Sequence, residues 1–233
     1  MQAKIEQIVS WLKQVYGDRP AVIAVSGGVD SAVSLTLLTK ALGVERVTPV
    51  LLPYGKQDMK DAKIVVEKNG LMHKLIEVGI KQMVDVVDTE LKIGDEQRLG
   101  NVMARVRMIT VFDLAKKLGA LVCGTENKSE HYLGYFTRFG DSASDVEPIS
   151  GLYKTEVWEM AKELGLPEIF YTKQPSAGLW EGQTDEGEMG FSYEEADKVL
   201  QGKTEGIDPT IVEKVRQMVK RNAFKLGVPY EME

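Results

Sequence analysis

Apolar positions along the chain alternate between two rhythms. Ile5, Ile8, Val9, Leu12, Val15 and Tyr16 recur at helical spacing, and Gly17 follows as a stop signal. Ala21 to Val25 is then a short unbroken apolar run, the mark of a strand buried on both faces. The pattern predicts a helix over 31–42 ended by Gly43, a strand over 47–52, a helix over 58–68 and a strand over 72–78. Ile80, Met83, Val84, Val87 and Leu91 predict another amphipathic helix, and a long helix over 95–117 leads into a strand over 120–123. Strands alternating with helices imply βαβ units. The expected class is therefore α/β, a doubly wound parallel sheet flanked by helices.

The last third reads differently. Residues 124–152 are polar, glycine-dotted and irregular, and a helix near 154–164 stops at Gly165 and Pro167. Residues 173–190 show no periodicity, which in a compact protein predicts a lid. Ser192 with Glu195 forms a capping box, and Asp208-Pro209 is an N-cap followed by proline, so two further helices close the chain. With no repeat, low-complexity tract or linker, residues 1–233 are expected to form a single domain.

Composition narrows the class. The apolar share of 43% and charged share of 27% fit a water-soluble globular protein, and no run of 18 apolar residues predicts a membrane span. Residues 1–10 read as an amphipathic helix, without the apolar stretch of a signal peptide. The single cysteine, Cys123, excludes an internal disulfide and a cysteine-built zinc site, so a cytoplasmic address is the default expectation. A net charge of −6 argues against a duplex nucleic-acid binder, yet it leaves room for a local basic pocket that takes small anions.

Chemistry concentrates after the first strand, in Ser26-Gly27-Gly28-Val29-Asp30-Ser31. Ligands of open α/β sheets bind beyond the carboxyl ends of the strands. Paired glycines let the backbone come close, and the following helix offers free N–H groups at its positive end. With the hydroxyls of Ser26 and Ser31 the loop is a candidate polyphosphate cradle. Asp30 would repel phosphate unless it holds a magnesium ion bridging to the phosphate oxygens. The plainer reading is a helix cap. No G-x-G-x-x-G occurs, and Gly202-Lys203-Thr204 lacks the first glycine of a Walker A loop, where Asp197 stands.

The loop resembles the signature of the ATP pyrophosphatases, which cleave ATP between the α and β phosphates. Later motifs narrow the likeness. Gly100-Asn101-Val102-Met103-Ala104-Arg105-Val106-Arg107-Met108 lies in the long helix, and Gly124-Thr125-Glu126-Asn127-Lys128-Ser129-Glu130 follows a buried strand. Gly134 to Asp141, Asp145, Pro148-Ile149, Leu152, Lys154-Thr155 and Pro175-Ser176-Ala177 complete a string that, in order and spacing, is similar to the NAD synthetase family. The likeness runs from Ala21 to Tyr193.

It implies an adenine nucleotide alpha hydrolase-like fold and ATP-dependent amidation of deamido-NAD to NAD with ammonia. By the same resemblance Ala24, Val25, Ser26, Gly27, Gly28, Val29, Asp30 and Ser31 hold the ATP phosphates, and Asp30 and Glu130 hold magnesium. Thr125, Lys154 and Ser176 contact ATP, whereas Arg105, Arg138, Asp145 and Lys225 contact deamido-NAD. Asp30, Glu130 and Lys154 form the catalytic set. Two departures stand out: Arg138 replaces a usual lysine, and Phe224-Lys225 stands where the family often has His-Lys. A homodimer is implied as well, with substrate near its interface. The long helix agrees, since Val102, Val106 and Ile109 face one way while Met108, Val111, Phe112 and Ala115 face another.

Each residue also has a bland reading. Arg105 can be a solvated helix charge, Glu130 solvent-facing, and Asp145 a loop brace. Lys154 at a helix start is mildly unfavourable for a cation, which favours an anionic partner. His73 and His131 lack ligand spacing and read as structural, and Cys123 reads as a small buried apolar residue. The expected chemistry needs no covalent nucleophile, consistent with the lack of a Ser-His or Cys-His arrangement. No stretch is long enough for a glutamine-hydrolysing domain beside the ATP domain, so free ammonia is the expected donor. The alternatives are another ATP pyrophosphatase, such as a tRNA-modifying enzyme, and a non-catalytic nucleotide sensor. One cysteine and a net negative charge weigh against the first; the retained acids Asp30 and Glu130 weigh against the second.

Overall fold

The computed structural model describes residues 1–176, 178 and 182–227. Helix α1 (Gln2–Tyr16) precedes strand β1 (Ala21–Ala24), and then α2 (Val29–Leu42), β2 (Val47–Leu51), α3 (Lys60–Lys68) and β3 (Ile76–Glu77) alternate. Next come α4 (Lys81–Leu91), α5 (Glu96–Leu118), β4 (Leu121–Cys123), α6 (Lys128–Leu133), α7 (Lys154–Glu163) and α8 (Ile169–Thr172). Helices α9 (Asp185–Met189), α10 (Tyr193–Leu200) and α11 (Pro209–Asn222) complete the order.

The strands form a parallel sheet in the order β3-β2-β1-β4, with Ala21 opposite both Val47 and Leu121. Alternation along β1 divides the core. Ala21 and Ile23 join Leu35, Val65 and Met160 on the face covered by α1, α2, α3 and α7, whereas Val22 joins Val84, Met103 and Val111 under α4 and α5. Both faces are covered, as the unbroken apolar runs require. A third cluster, built on Leu133, Tyr193, Val199 and Val215, seats α10 and α11 against α6. Among the described residues no helix is long and apolar enough to cross a membrane.

The α/β expectation holds, with three local corrections. The strand expected over 72–78 is a 3-10 turn at Met72–Lys74 followed by two strand residues, because this edge strand meets only the end of β2. The stretch expected to be irregular over 124–152 contains α6, started by a reciprocal cap between Asn127 and Glu130. Within the expected lid, residues 177 and 179–181 lie outside the described residues. The remainder contains α9, whose N–H of Gly187 donates to the Thr184 hydroxyl.

The chain runs outward from β1 to β3 and then crosses back to place β4 on the other side of β1. Strand order therefore reverses between β1 and β4. A ligand crevice belongs at their carboxyl ends.

Candidate active site

A cleft of about 1130 Å³ opens at that switch point, walled by the loops after β1, β2 and β4. Ala24, Val25, Ser26, Gly27, Gly28, Val29, Asp30 and Ser31 all line it. The turn is tied internally: Gly28 N–H donates to Ser26 Oγ at 3.2 Å, Ser31 Oγ–H donates to the Gly28 carbonyl at 3.0 Å, and the two hydroxyls lie 3.2 Å apart. Gly27 has φ +88°, and a Cβ there would come within 2.9 Å of Ala62 N at the start of α3. Only glycine lets the turn pass so close to that helix. Gly28 caps α2, whose first N–H groups open toward the cleft.

Charge gathers where this turn meets the loop after β4. The Lys154 ammonium, its side chain 3% exposed, lies 2.6 Å from Asp30 Oδ2 and 3.0 Å from Glu130 Oε1. Asn127 Nδ2 donates to the other oxygen of Asp30 at 2.8 Å. Burial opposes the charge of Lys154, but Asp30 and Glu130 outweigh it and hold the ammonium protonated. Burial raises the Glu130 carboxyl above its ordinary range, against the pull of Lys154 and with the push of Asp30. The Tyr193 ring lies 4.9 Å from the ammonium, and its hydroxyl donates to Asp185 at 3.2 Å. Beneath, Ser129 and Thr155 both bond to buried Asp197, and the Lys154 N–H donates to Ser129 Oγ at 2.9 Å, so α6 and α7 are fixed relative to each other.

The remaining expected residues divide. Thr125 and Ser176 line the cleft beside the turn. Arg105 and Arg138 instead line a neighbouring cavity of about 320 Å³ with Phe139 and Phe224, and Lys225 lines both. There Arg105 Nε donates to the Arg138 carbonyl at 3.3 Å, and Arg138 lies over the rings of Phe139 and Phe224. Lys225 Nζ donates to the carbonyls of Gly134 and Phe136 at 2.6 and 2.9 Å. Asp145 lines neither cavity, and its carboxylate accepts the Val122 N–H at 2.8 Å.

Sequence reading passed over several residues that the fold brings in. Asn127 had a signal, an N-cap residue with glutamate three positions later. Arg107 and Gln57 meet in the cleft wall at 3.1 Å with no local signal joining them. Together these features offer an anion cradle beside two carboxylates and a fixed cation. Such a site can accept a polyphosphate and neutralise the charge that develops when it is cleaved.

Known proteins share this plan. The model of the NAD synthase family matches residues 3–229. An NH(3)-dependent NAD(+) synthetase of Pyrococcus horikoshii is 47% identical, over 97% of this chain and 92% of its own. The solved structure of NMN synthetase from Francisella tularensis superposes with a TM-score of 0.91 at 32% identity, covering 100% of this chain and 98% of its own. The NH3-dependent NAD synthetase of Campylobacter jejuni, solved with a nitrate ion, gives 0.85 at 29% identity, covering 100% and 98%. With the family model matched across nearly its whole length, this chain belongs to the NAD synthase family.

Proposed function

We propose that the chain amidates the nicotinate carboxylate of deamido-NAD with ATP and ammonia. A carboxylate oxygen attacks the α-phosphorus of ATP and pyrophosphate leaves, giving an acyl adenylate. Ammonia then attacks the acyl carbon, AMP leaves, and one proton is released as the amide forms. The observation that carries this reading is Lys154 held between Asp30 and Glu130 at the mouth of the turn over 26–31.

In this reading the N–H groups of the turn and of α2 bind the phosphates, while Thr125 and Ser176 contact ATP from the facing loops. The Lys154 ammonium is set, at no reorganisation cost, where charge builds on the transferring phosphorus. Arg105, Arg138 and Lys225 face the dinucleotide from the neighbouring cavity, and Asp145, which also braces β4 through the Val122 N–H, contacts it as well.

Two carboxylates that converge on one cation are a donor set suited to magnesium, which binds through one or two carboxylates and completes its shell with water and phosphate oxygens. Among the described residues no group of three or more acids, histidines and cysteines gathers for a metal. Asp30 and Glu130 would hold the ion, which when bound supplies neutralising charge to the phosphates.

The relatives named for NH3 support ammonia as the donor. Exposed Val86, Ile109 and Phe112 on α4 and α5 support a homodimer, since such a face needs cover. Use of ATP as co-substrate supports a cytoplasmic address. The likeness to NMN synthetase supports a second reading, with nicotinate mononucleotide as the acid. Incubation of purified protein with ATP, magnesium, ammonium and either acid tests both. Equal amounts of NAD and AMP from deamido-NAD support the first reading, and faster turnover of the mononucleotide supports the second. AMP formation with neither acid refutes both.

A further inference from the structure

Arg107 lies on the inner side of α5 and reaches the cleft, yet it forms no ion pair with any described carboxylate. A cation removed from water normally finds an anion or a full set of acceptors. Here its Nε donates to the Leu52 carbonyl at 3.2 Å, at the carboxyl end of β2, and its Nη2 donates to Gln57 Oε1 at 3.1 Å. The same oxygen of Gln57 accepts the Tyr54 N–H at 3.3 Å.

Those two donors fix which way the Gln57 amide points, because its oxygen is committed inward and its NH2 must face outward. Outward, Nε2 donates to the Gly178 carbonyl at 3.4 Å, and the Gly178 N–H donates to Ser176 Oγ at 3.0 Å. Gly178 itself has φ +62°, a backbone conformation that L side chains rarely adopt, so glycine suits this turn. One unbroken chain of hydrogen bonds thus runs from the long helix, through the loop after β2, to a hydroxyl at the cleft mouth.

We infer that Arg107 is a positioning residue for ATP: it orients Gln57, and Gln57 holds Gly178 and Ser176 across the cleft. The inference rests on the reading that Ser176 meets ATP. Arg107 does not touch the reacting atoms. It sets the approach of the segment that does.

The test uses the full chain in four variants, Arg107→Met, Gln57→Met, their combination, and Ser176→Ala. Measured for each are kcat, KM for ATP, KM for the nicotinate acid and the thermal midpoint. Loss of a hydrogen bond to a charged donor predicts about a tenfold rise in KM for ATP in each single variant, with kcat and KM for the acid little changed. Because both act through one chain, the double variant rises no further than either single. A double variant whose effect is the product of the singles overturns the inference, as does a lowered midpoint with KM for ATP unmoved. Gln57 lies in the loop after β2, outside any helix or strand, and serves where Arg107→Met fails to fold. If Ser176→Ala leaves KM for ATP unchanged, the assigned ATP contact falls and the inference with it. If Ser176→Ala raises it while the other variants do not, only the positioning chain falls.

Discussion

The Asn127 side chain donates to Asp30 across 2.8 Å, joining two loops that lie 97 residues apart in sequence. The same side chain accepts the Glu130 N–H at 3.0 Å as the cap of α6, so a single buried amide both starts a helix and aims the acid of the phosphate turn. Asn127→Ala therefore removes a cap worth about 1 kcal/mol and a charged hydrogen bond worth about 1.5–3 kcal/mol. Urea unfolding should show a loss of about 2–4 kcal/mol, with kcat/KM falling about tenfold or more. Asn127→Asp keeps the cap but sets a second buried carboxylate against Asp30, so it is expected to unfold more readily than the alanine variant and to lose more activity.

Lys154 separates two carboxylates that would otherwise face each other with little water. Its removal in Lys154→Met leaves Asp30 and Glu130 uncompensated, their side chains only 15% and 16% exposed. Breaking a buried pair in this way costs about 3–5 kcal/mol, and loss of a fixed cation at the reacting phosphate lowers kcat about a hundredfold or more. Lys154→Arg restores charge without the compact ammonium, so stability should recover further than turnover. Paired thermal melts and steady-state rates separate the two effects.

At Gly27 the obstacle is backbone, not a movable side chain. An alanine Cβ would meet Ala62 N at 2.9 Å in a φ +88° conformation that non-glycine residues avoid. The turn must shift away from α3, and the phosphate N–H groups shift with it. Gly27→Ala is expected to raise KM for ATP at least about tenfold, with a stability loss of about 2 kcal/mol. Calorimetric titration with a non-hydrolysable ATP analogue reads this without turnover.

How far the sequence foretold the molecule depended on whether the signal was local. Strands β1 and β2 were legible because a sheet covered on both faces demands unbroken apolar runs, and Ala21–Ala24 and Val47–Leu51 have them. Edge strand β3 is shorter than its composition suggests, because Met72 to Val78 reads as a strand while only Ile76–Glu77 reaches β2. The turn over 26–31 is contiguous and could be read directly. Lys154 stands 124 residues from Asp30, so their pairing appears only once the sheet reverses its order. The Arg107 contact with Gln57 spans 50 residues and is invisible for the same reason. Asp145, read as a substrate contact by resemblance, gives one carboxylate oxygen to the Val122 N–H, a bond between residues 23 apart that no local pattern announces.

Acid groups behind β4 give the fold a pH dependence. Burial, reinforced by Asp141, raises Glu126 to about 7, and burial with Glu126 nearby raises Glu147 to about 7. Both carboxyls bind protons more tightly folded than unfolded, so stability falls with rising pH in that window. Their contribution is complete below the ordinary glutamate value and is lost as pH climbs through about 7. His131, whose Nδ1 lies 2.7 Å from Glu126, is lowered by burial and opposes part of this slope. Glu147→Gln stands in for the protonated acid, and the Ser144 hydroxyl can turn to accept from its amide. Thermal midpoints from about pH 5 to about pH 8 should fall less steeply in the variant, which becomes the more stable protein at the upper end. Parallel slopes for both proteins would show that Glu147 is ionised throughout.

The exposed apolar face on α4 and α5 is where the proposed dimer would form. Ile109 is 66% exposed and Val86 63% exposed, while Val106 and Val111 on the same long helix are buried against the sheet. A helix that is apolar on both sides is ordinarily covered on both sides. A second copy of the chain brings the same face, so a two-fold pairing would bury Ile109 and Phe112 against their own equivalents or their neighbours. Ile109→Asp places a charge within that contact while leaving the sheet side of α5 untouched. Sedimentation should show the parent chain as a dimer and the variant as a monomer with an unchanged circular dichroism spectrum. If substrate binds near the interface, the monomer also loses turnover, and its KM for the nicotinate acid rises more than its KM for ATP. A parent chain that sediments as a monomer would assign the exposed face to some other contact.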